Sequence, residues 1–307
     1  MHKSISTINL KVLSTSNFYI CCNAKDMTAQ SSESTETPKE EMSFLDHLEE
    51  LRWHIMRSAI AIVSLGVVAF INKNFVFDGI ILGPKNSDFL TFRLLCKASV
   101  KLNQLMPSIF GADTLCIGQN MPQLQNINMA GQFTSHIMTS IVVGLIVAFP
   151  YVFWEIWRFV WPGLKDGERN NVRGAVFTVS LLFFIGVLFG YFVISPLSVN
   201  FFLTYSVSES VQNMPTLGTY ISTVTTVVLA CGFVFQLPVV VLVLTKLGIL
   251  SPLILRKFRK HAFVGALVLS AIITPPDVFS QFLVTLPLIV LYEISIFISA
   301  RIEKKAS

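Results

Sequence analysis

Five stretches of the chain are apolar almost without interruption: residues 55–75, 133–157, 175–202, 220–244 and 278–299. Each reaches the roughly 20 residues that a helix needs to cross a hydrocarbon core about 30 Å thick. The pattern therefore predicts transmembrane helices. A further run, 262–273, has 12 residues and as a helix would extend only about 18 Å. Lys260 and His261 beside it can snorkel, and a bilayer can thin to meet a short span. Ahead of the first run, Ser43 with Asp46 is a capping-box signal. Phe44, Leu48, Leu51 and Ile55 then fall on one helical face, so an amphipathic helix runs directly into the first crossing.

Basic residues settle how the short run is read. Lys and Arg favour the cytoplasmic side of short loops. Residues 1–57 hold six, 158–173 hold four, 246–260 hold five and the C-terminal tail three, whereas 203–219 and the turn after residue 273 hold none. The segment 72–132 holds five, but at about 60 residues it is long enough for the rule to weaken. The alternation fits six crossings only if 262–273 crosses. The expected fold is an all-α integral membrane protein with both termini cytoplasmic, its membrane domain covering 43–302, a long outer segment at 72–132 and a short tail at 303–307. Residues 1–42 are rich in Ser, Thr and Glu and read as a disordered lead. Residues 1–25 carry Lys and no acid, as organelle transit peptides do, but they lack Arg. The simpler reading is an upstream start, with Met27 as the working one.

Composition agrees. The chain is 53% hydrophobic and 13% charged, where a soluble domain carries about 25% charged residues; a wholly soluble or disordered protein is excluded. The net charge of +5 is spread between apolar runs, not gathered in a patch, so nucleic acid is not an expected partner. Metalloprotease, serine-hydrolase and paired intramembrane aspartate patterns are absent, as are a nucleotide-binding P-loop and metal-ligand spacing among Cys and His. Neither an enzyme nor a cofactor is expected. An ion-coupled carrier is the alternative, but no charged residue sits at mid-membrane and no inverted repeat is evident.

Polar residues in and beside the runs carry the remaining signal. Glu50 and Glu168 both fall on the cytoplasmic side of the expected topology. From spacing alone they read as solvated loop charges, since exposed ion pairs contribute little; the alternative is a pair of carboxylates displayed for a cationic ligand, to which guanidinium binds in a fork that Lys cannot reproduce. Gln236 lies mid-run before Pro238, and Glu293 lies about 9 Å from the inner end of the last run. Both are candidates for contact with a partner helix. Pro150 and Pro238 predict kinks, and Gly186 with Gly190 predicts close helix packing. Cys96 and Cys116 share the outer segment, where an oxidising exterior permits a disulfide contributing about 3 kcal/mol.

Three motifs then carry a resemblance. His47-Leu48-Glu49-Glu50-Leu51-Arg52 resembles the opening motif of the TatC family, the receptor subunits of the twin-arginine protein translocase. Phe153-Trp154-Glu155-Ile156-Trp157-Arg158-Phe159, with Pro162-Gly163-Leu164 and Glu168-Arg169, is similar to that family's second-crossing end and first inner loop. Thr274-Pro275-Pro276-Asp277-Val278-Phe279-Ser280-Gln281 is similar to its signature turn between the last two crossings. The long Cys-bearing outer segment most resembles TatC proteins of the Bacteroidetes. The resemblance implies a glove-shaped, six-helix subunit in a bacterial inner membrane. It binds Arg-Arg signal peptides of folded precursors, recruits TatA and, where present, TatB, oligomerises within the complex, and uses the proton motive force. It further implies that Glu50 and Glu168 contact the twin arginines, that Arg52 and Phe159 serve signal recognition, and that Pro84, Pro275, Pro276 and Asp277 are structural. Many members carry Glu where this chain has Gln236, whose amide cannot exchange a proton.

Overall fold

The computed structural model describes residues 44–105, 116–118, 121–160, 172–208, 210, 213–246, 248–274 and 278–306. Their regular structure is helical: α1 (Phe44–Ile71), a π-helical turn at Phe75–Ile81, a 3-10 turn at Gly83–Lys85, α2 (Leu90–Leu105), α3 (Gly131–Val160), α4 (Val172–Phe189), a π-helical segment at Gly190–Ile194, α5 (Ser195–Thr204), α6 (Leu217–Val234), α7 (Leu237–Lys246), α8 (Pro252–Lys257), α9 (Arg259–Ile273) and α10 (Val278–Ala306). Five stretches are long and apolar enough to cross a membrane: Glu49–Ile71, Gly131–Phe159, Val176–Thr204, Leu217–Thr245 and Gln281–Arg301. They coincide with the five long hydrophobic runs. The short run forms α9, whose 15 residues extend about 22 Å. The last helix continues through Ala306, so most of the expected tail is helical.

Two glycine contacts set the packing. Gly144 of α3 sits so close to α1 that a Cβ there would lie 2.6 Å from the Gly66 nitrogen and 2.7 Å from the Ile62 carbonyl oxygen. Gly186 of α4 and Gly190, which opens the π-helical segment after it, meet α6, where added Cβ atoms would lie 2.7 Å from the Cys231 carbonyl oxygen and 2.9 Å from the Cys231 Cβ. The close approach expected from that glycine pair is the α4–α6 contact. Phe149 of α3 stacks on Phe183 of α4 with ring centroids 3.6 Å apart, and Val179 completes that cluster. A second cluster joins Ile194, Val227 and Cys231 to Val284 and Leu288 of α10. Ser270 of α9 shares a 2.7 Å hydrogen bond with Thr285 of α10, which fixes the short helix against the long one.

Pro238 breaks its span as expected. The helix stops at Val234 and resumes at Leu237, because proline cannot donate to the preceding turn. Pro150 by contrast stays inside α3. Residues 75–85, after the first span, are packed on the bundle more closely than a hydropathy profile conveys. The Tyr191 and Tyr220 hydroxyls donate to the carbonyls of Ile80 and Ile81, each at 2.7 Å. Those bonds satisfy main-chain acceptors of the π-helical turn and tie it to the third and fourth spans. Pro84 is fully buried beside them. Cys96 and Cys116 are joined by a disulfide, with their Cα atoms 4.3 Å apart.

Candidate functional site

At the end of the bundle where α1 begins and α3 finishes, two helical stripes face each other. On α1, Glu50, His54 and Ser58 recur every four residues; on α3, Tyr151, Glu155 and Phe159 do the same. That spacing stacks the three side chains of each set on one face. His54 and Glu155 are both 6% exposed, and His54 Nδ1 is hydrogen-bonded to a Glu155 carboxylate oxygen. The Tyr151 hydroxyl donates to the other Glu155 oxygen at 3.0 Å. The Phe159 ring meets the His54 imidazole edge-on, with centroids 6.3 Å apart.

The buried carboxylate is thus satisfied on both oxygens, the condition under which burying such a group is tolerable. The imidazole's other nitrogen, Nε2, lies 3.9 Å from Glu50 Oε1. That distance is too long for a hydrogen bond. The Glu50 side chain is 42% exposed, so it remains open to a ligand while its position is set by a buried neighbour. Phe159 offers an apolar edge in the same group. A carboxylate and an aromatic ring that both approach one imidazole, itself hydrogen-bonded to a buried acid, suit a guanidinium better than an ammonium, because the planar cation both forks onto carboxylate and stacks.

The structure brings Glu50 and Phe159 together through His54. Arg52, two positions from Glu50, projects from a different side of α1 and is exposed; helical neighbours at that spacing do not face each other. Glu168, Pro275, Pro276 and Asp277 lie outside the described residues. Pro84 is at the opposite end of the bundle. Glu293 accepts a 2.7 Å hydrogen bond from Arg259 of the same chain, both being about half exposed. The Gln236 amide nitrogen donates to the Val179 carbonyl at 3.1 Å, while its oxygen is buried without a partner among the described residues.

His54 and Glu155 are the residues that sequence reasoning missed. One signal was present: Glu155 is an acid inside an apolar run, and an ionisable residue at membrane depth is a functional candidate by default. Its reading as part of a motif string concealed that.

Comparison with known proteins follows the same lines. The family described as Sec-independent protein translocase protein (TatC) matches residues 46–287. The chain is 39% identical over 267 residues to the Sec-independent protein translocase protein TatC of Blattabacterium sp. subsp. Periplaneta americana, covering 87% of this chain and 98% of that one. It is 30% identical over 266 residues to TatCy of Bacillus subtilis, covering 87% and 92%. A crystal structure of the twin arginine translocase receptor TatC is similar with a TM-score of 0.57 at 31% identity, covering 83% of this chain and 98% of that one. A second, in the detergent DDM, reaches a TM-score of 0.60 at 31% identity, covering 82% and 99%.

Proposed function

The chain belongs to the TatC family of Sec-independent protein translocase subunits, and on that premise we propose that it is the receptor and assembly core of a twin-arginine translocase in a bacterial inner membrane. As a subunit of that translocase it is a multi-pass membrane protein that moves proteins and is not an enzyme. The proposed ligand is the Arg-Arg motif of signal peptides on folded precursors. Glu50 and Glu168 accept the two guanidinium groups, Phe159 packs beside the first, and Arg52 lines the approach. The observation that carries this reading is the exposed Glu50 carboxylate held 3.9 Å from a buried His54 that is itself paired with Glu155 and edged by Phe159. A carboxylate so backed is positioned before its ligand arrives, and preorganisation spares the cost of ordering it on binding.

In the same reading α9 is a sixth crossing of a locally thinned bilayer, both termini are cytoplasmic and the helices form a glove. Pro84, Pro275, Pro276 and Asp277 shape the outer turns. The Gln236 oxygen, which has no partner among the described residues, accepts from a polar group on the single helix of TatA or TatB, and several copies of the chain assemble in the complex. Gln236 exchanges no proton, so the proton motive force that drives transport acts through another group.

Site-specific photocrosslinking in membrane vesicles tests the receptor reading. A probe placed beside Glu50 is expected to capture an Arg-Arg precursor and to lose it when the pair is Lys-Lys. Glu50→Ala and Glu168→Ala should each abolish the adduct, since a hydrogen bond to a charged group contributes about 1.5–3 kcal/mol. Equal capture of both precursors, with the glutamates dispensable, would place recognition elsewhere.

A further inference from the structure

Helix α2 has one face fixed and one face bare. On the fixed side Phe92 and Ser99 are almost fully buried, and Cys96 is bonded to Cys116. The chain passes Phe92 at Gly118, whose φ is +89° and whose Cβ, were it present, would lie 2.9 Å from the Phe92 ring; only glycine adopts that conformation and fits that space. The helix is therefore locked in rotation about its own axis. What it presents outward is a row of three cations, Arg93, Lys97 and Lys101, one helical turn apart, spaced by about 6 Å along the axis. The row is flanked by exposed apolar residues, Leu90 at 52%, Leu94 at 58% and Val100 at 46%. No acid occurs within α2. The nearest in sequence are Asp88, which precedes it, and Asp113, which follows it.

Its depth is set by its first turn. Phe89 stacks on Phe192, 5.7 Å between centroids, and meets Tyr191 edge-on; the Thr91 hydroxyl donates to the Phe192 carbonyl. Phe192 lies sixteen residues into the 29-residue span Val176–Thr204; its neighbour Tyr191 binds Ile80 beside the Ile81–Tyr220 bond, and Tyr220 is only three residues into the span that begins at Leu217. The helix thus joins the bundle near the boundary between hydrocarbon and headgroups. We propose that this bare face of α2 is a docking surface for the headgroups of anionic phospholipids in the adjoining leaflet. The charge row meets the phosphates, Arg93 as a fork and the two lysines as point charges, and the apolar flanks enter the acyl boundary as they do in interfacial helices. A soluble acidic partner would match the cations but leave Leu90, Leu94 and Val100 without a reason to be bare. The proposal needs only that the spans cross a bilayer, and it is independent of how signal peptides bind.

The test uses the full-length chain in phosphatidylcholine nanodiscs carrying a trace of headgroup-photoreactive phosphatidylglycerol or phosphatidylcholine, with adducts mapped by mass spectrometry. Each cation near an anionic surface adds roughly fivefold in affinity. Adducts on the 90–105 peptide should therefore favour phosphatidylglycerol by about tenfold or more, and high salt should narrow the ratio. The R93Q/K97Q/K101Q variant should bring it near unity, whereas R93K, which keeps the charge and guards against a folding artefact, should retain most of it. Equal labelling by the two lipids overturns the proposal. So does a preference that survives the triple substitution, because the anionic lipid then acts elsewhere. Loss of labelling on adding an acidic polypeptide in place of anionic lipid assigns the face to a protein and also overturns it.

Discussion

His54 stands between two carboxylates borne by different helices, and its removal has consequences that its sequence neighbourhood does not announce. His54→Ala leaves Glu155 buried with one oxygen unpaired, and Glu155→Ala leaves the imidazole Nδ1 unpaired. Each should lower stability by about 1–3 kcal/mol, the cost of an orphaned buried polar group, read as a drop in thermal unfolding midpoint in detergent. Replacing both, His54→Ala with Glu155→Leu, should cost less than the sum of the singles, because no partner is left stranded. If the losses simply add, the pair is not the unit that the geometry describes. At this scale the sequence was partly legible. Glu50 and Phe159 were identified by resemblance, but pairing His54 with Glu155 requires knowing which faces of two distant helices meet, and no local spacing encodes that.

At the scale of elements, the spans were readable because hydrophobic length is a strong local signal. The glycine contact between α4 and α6 was readable as well, since two small residues one turn apart leave a groove. The Gly66–Gly144 crossing was not, because each glycine is alone in its own helix. Gly144→Ala should cost about 1–3 kcal/mol by overpacking against the α1 backbone. Gly265→Ala on α9, where nothing lies within 4 Å of the added Cβ, should be neutral or stabilise by up to about 1 kcal/mol through helix propensity. The two substitutions are chemically identical, so comparing their unfolding midpoints isolates packing. The packing of residues 75–85 was invisible to the hydropathy pattern: their hold on the bundle comes from tyrosine hydroxyls reaching main-chain carbonyls, contacts that leave no periodic trace.

For the molecule as a whole, the proposed six-crossing topology makes a prediction about sides. In a background with Cys21 and Cys22 replaced by Ser, single cysteines at Ser251 and Ser307 should react with a membrane-impermeant thiol reagent from one side, and those at Ser208 and Pro275 from the other. Cys231 stays silent because it is buried. Labelling of positions 251 and 275 from the same side would mean that α9 does not cross. The basic residues of the loops supplied this topology and the hydrophobic lengths alone did not, since α9 falls short of a normal span by about 8 Å.

The pairing of His54 with Glu155 across 101 residues also has a meaning in time. Translation adds about 5–20 residues per second, so on the order of 5–20 s separate the synthesis of the imidazole from that of its carboxylate. Through that interval α1 waits at the membrane without α3, its Gly66 notch unfilled and its buried-to-be polar group facing lipid headgroups or water. An imidazole presents ring nitrogens that water or a headgroup can satisfy through that interval, until the carboxylate arrives. The choice of histidine at this position suits a nascent chain that must keep one half of a lock before the other half exists.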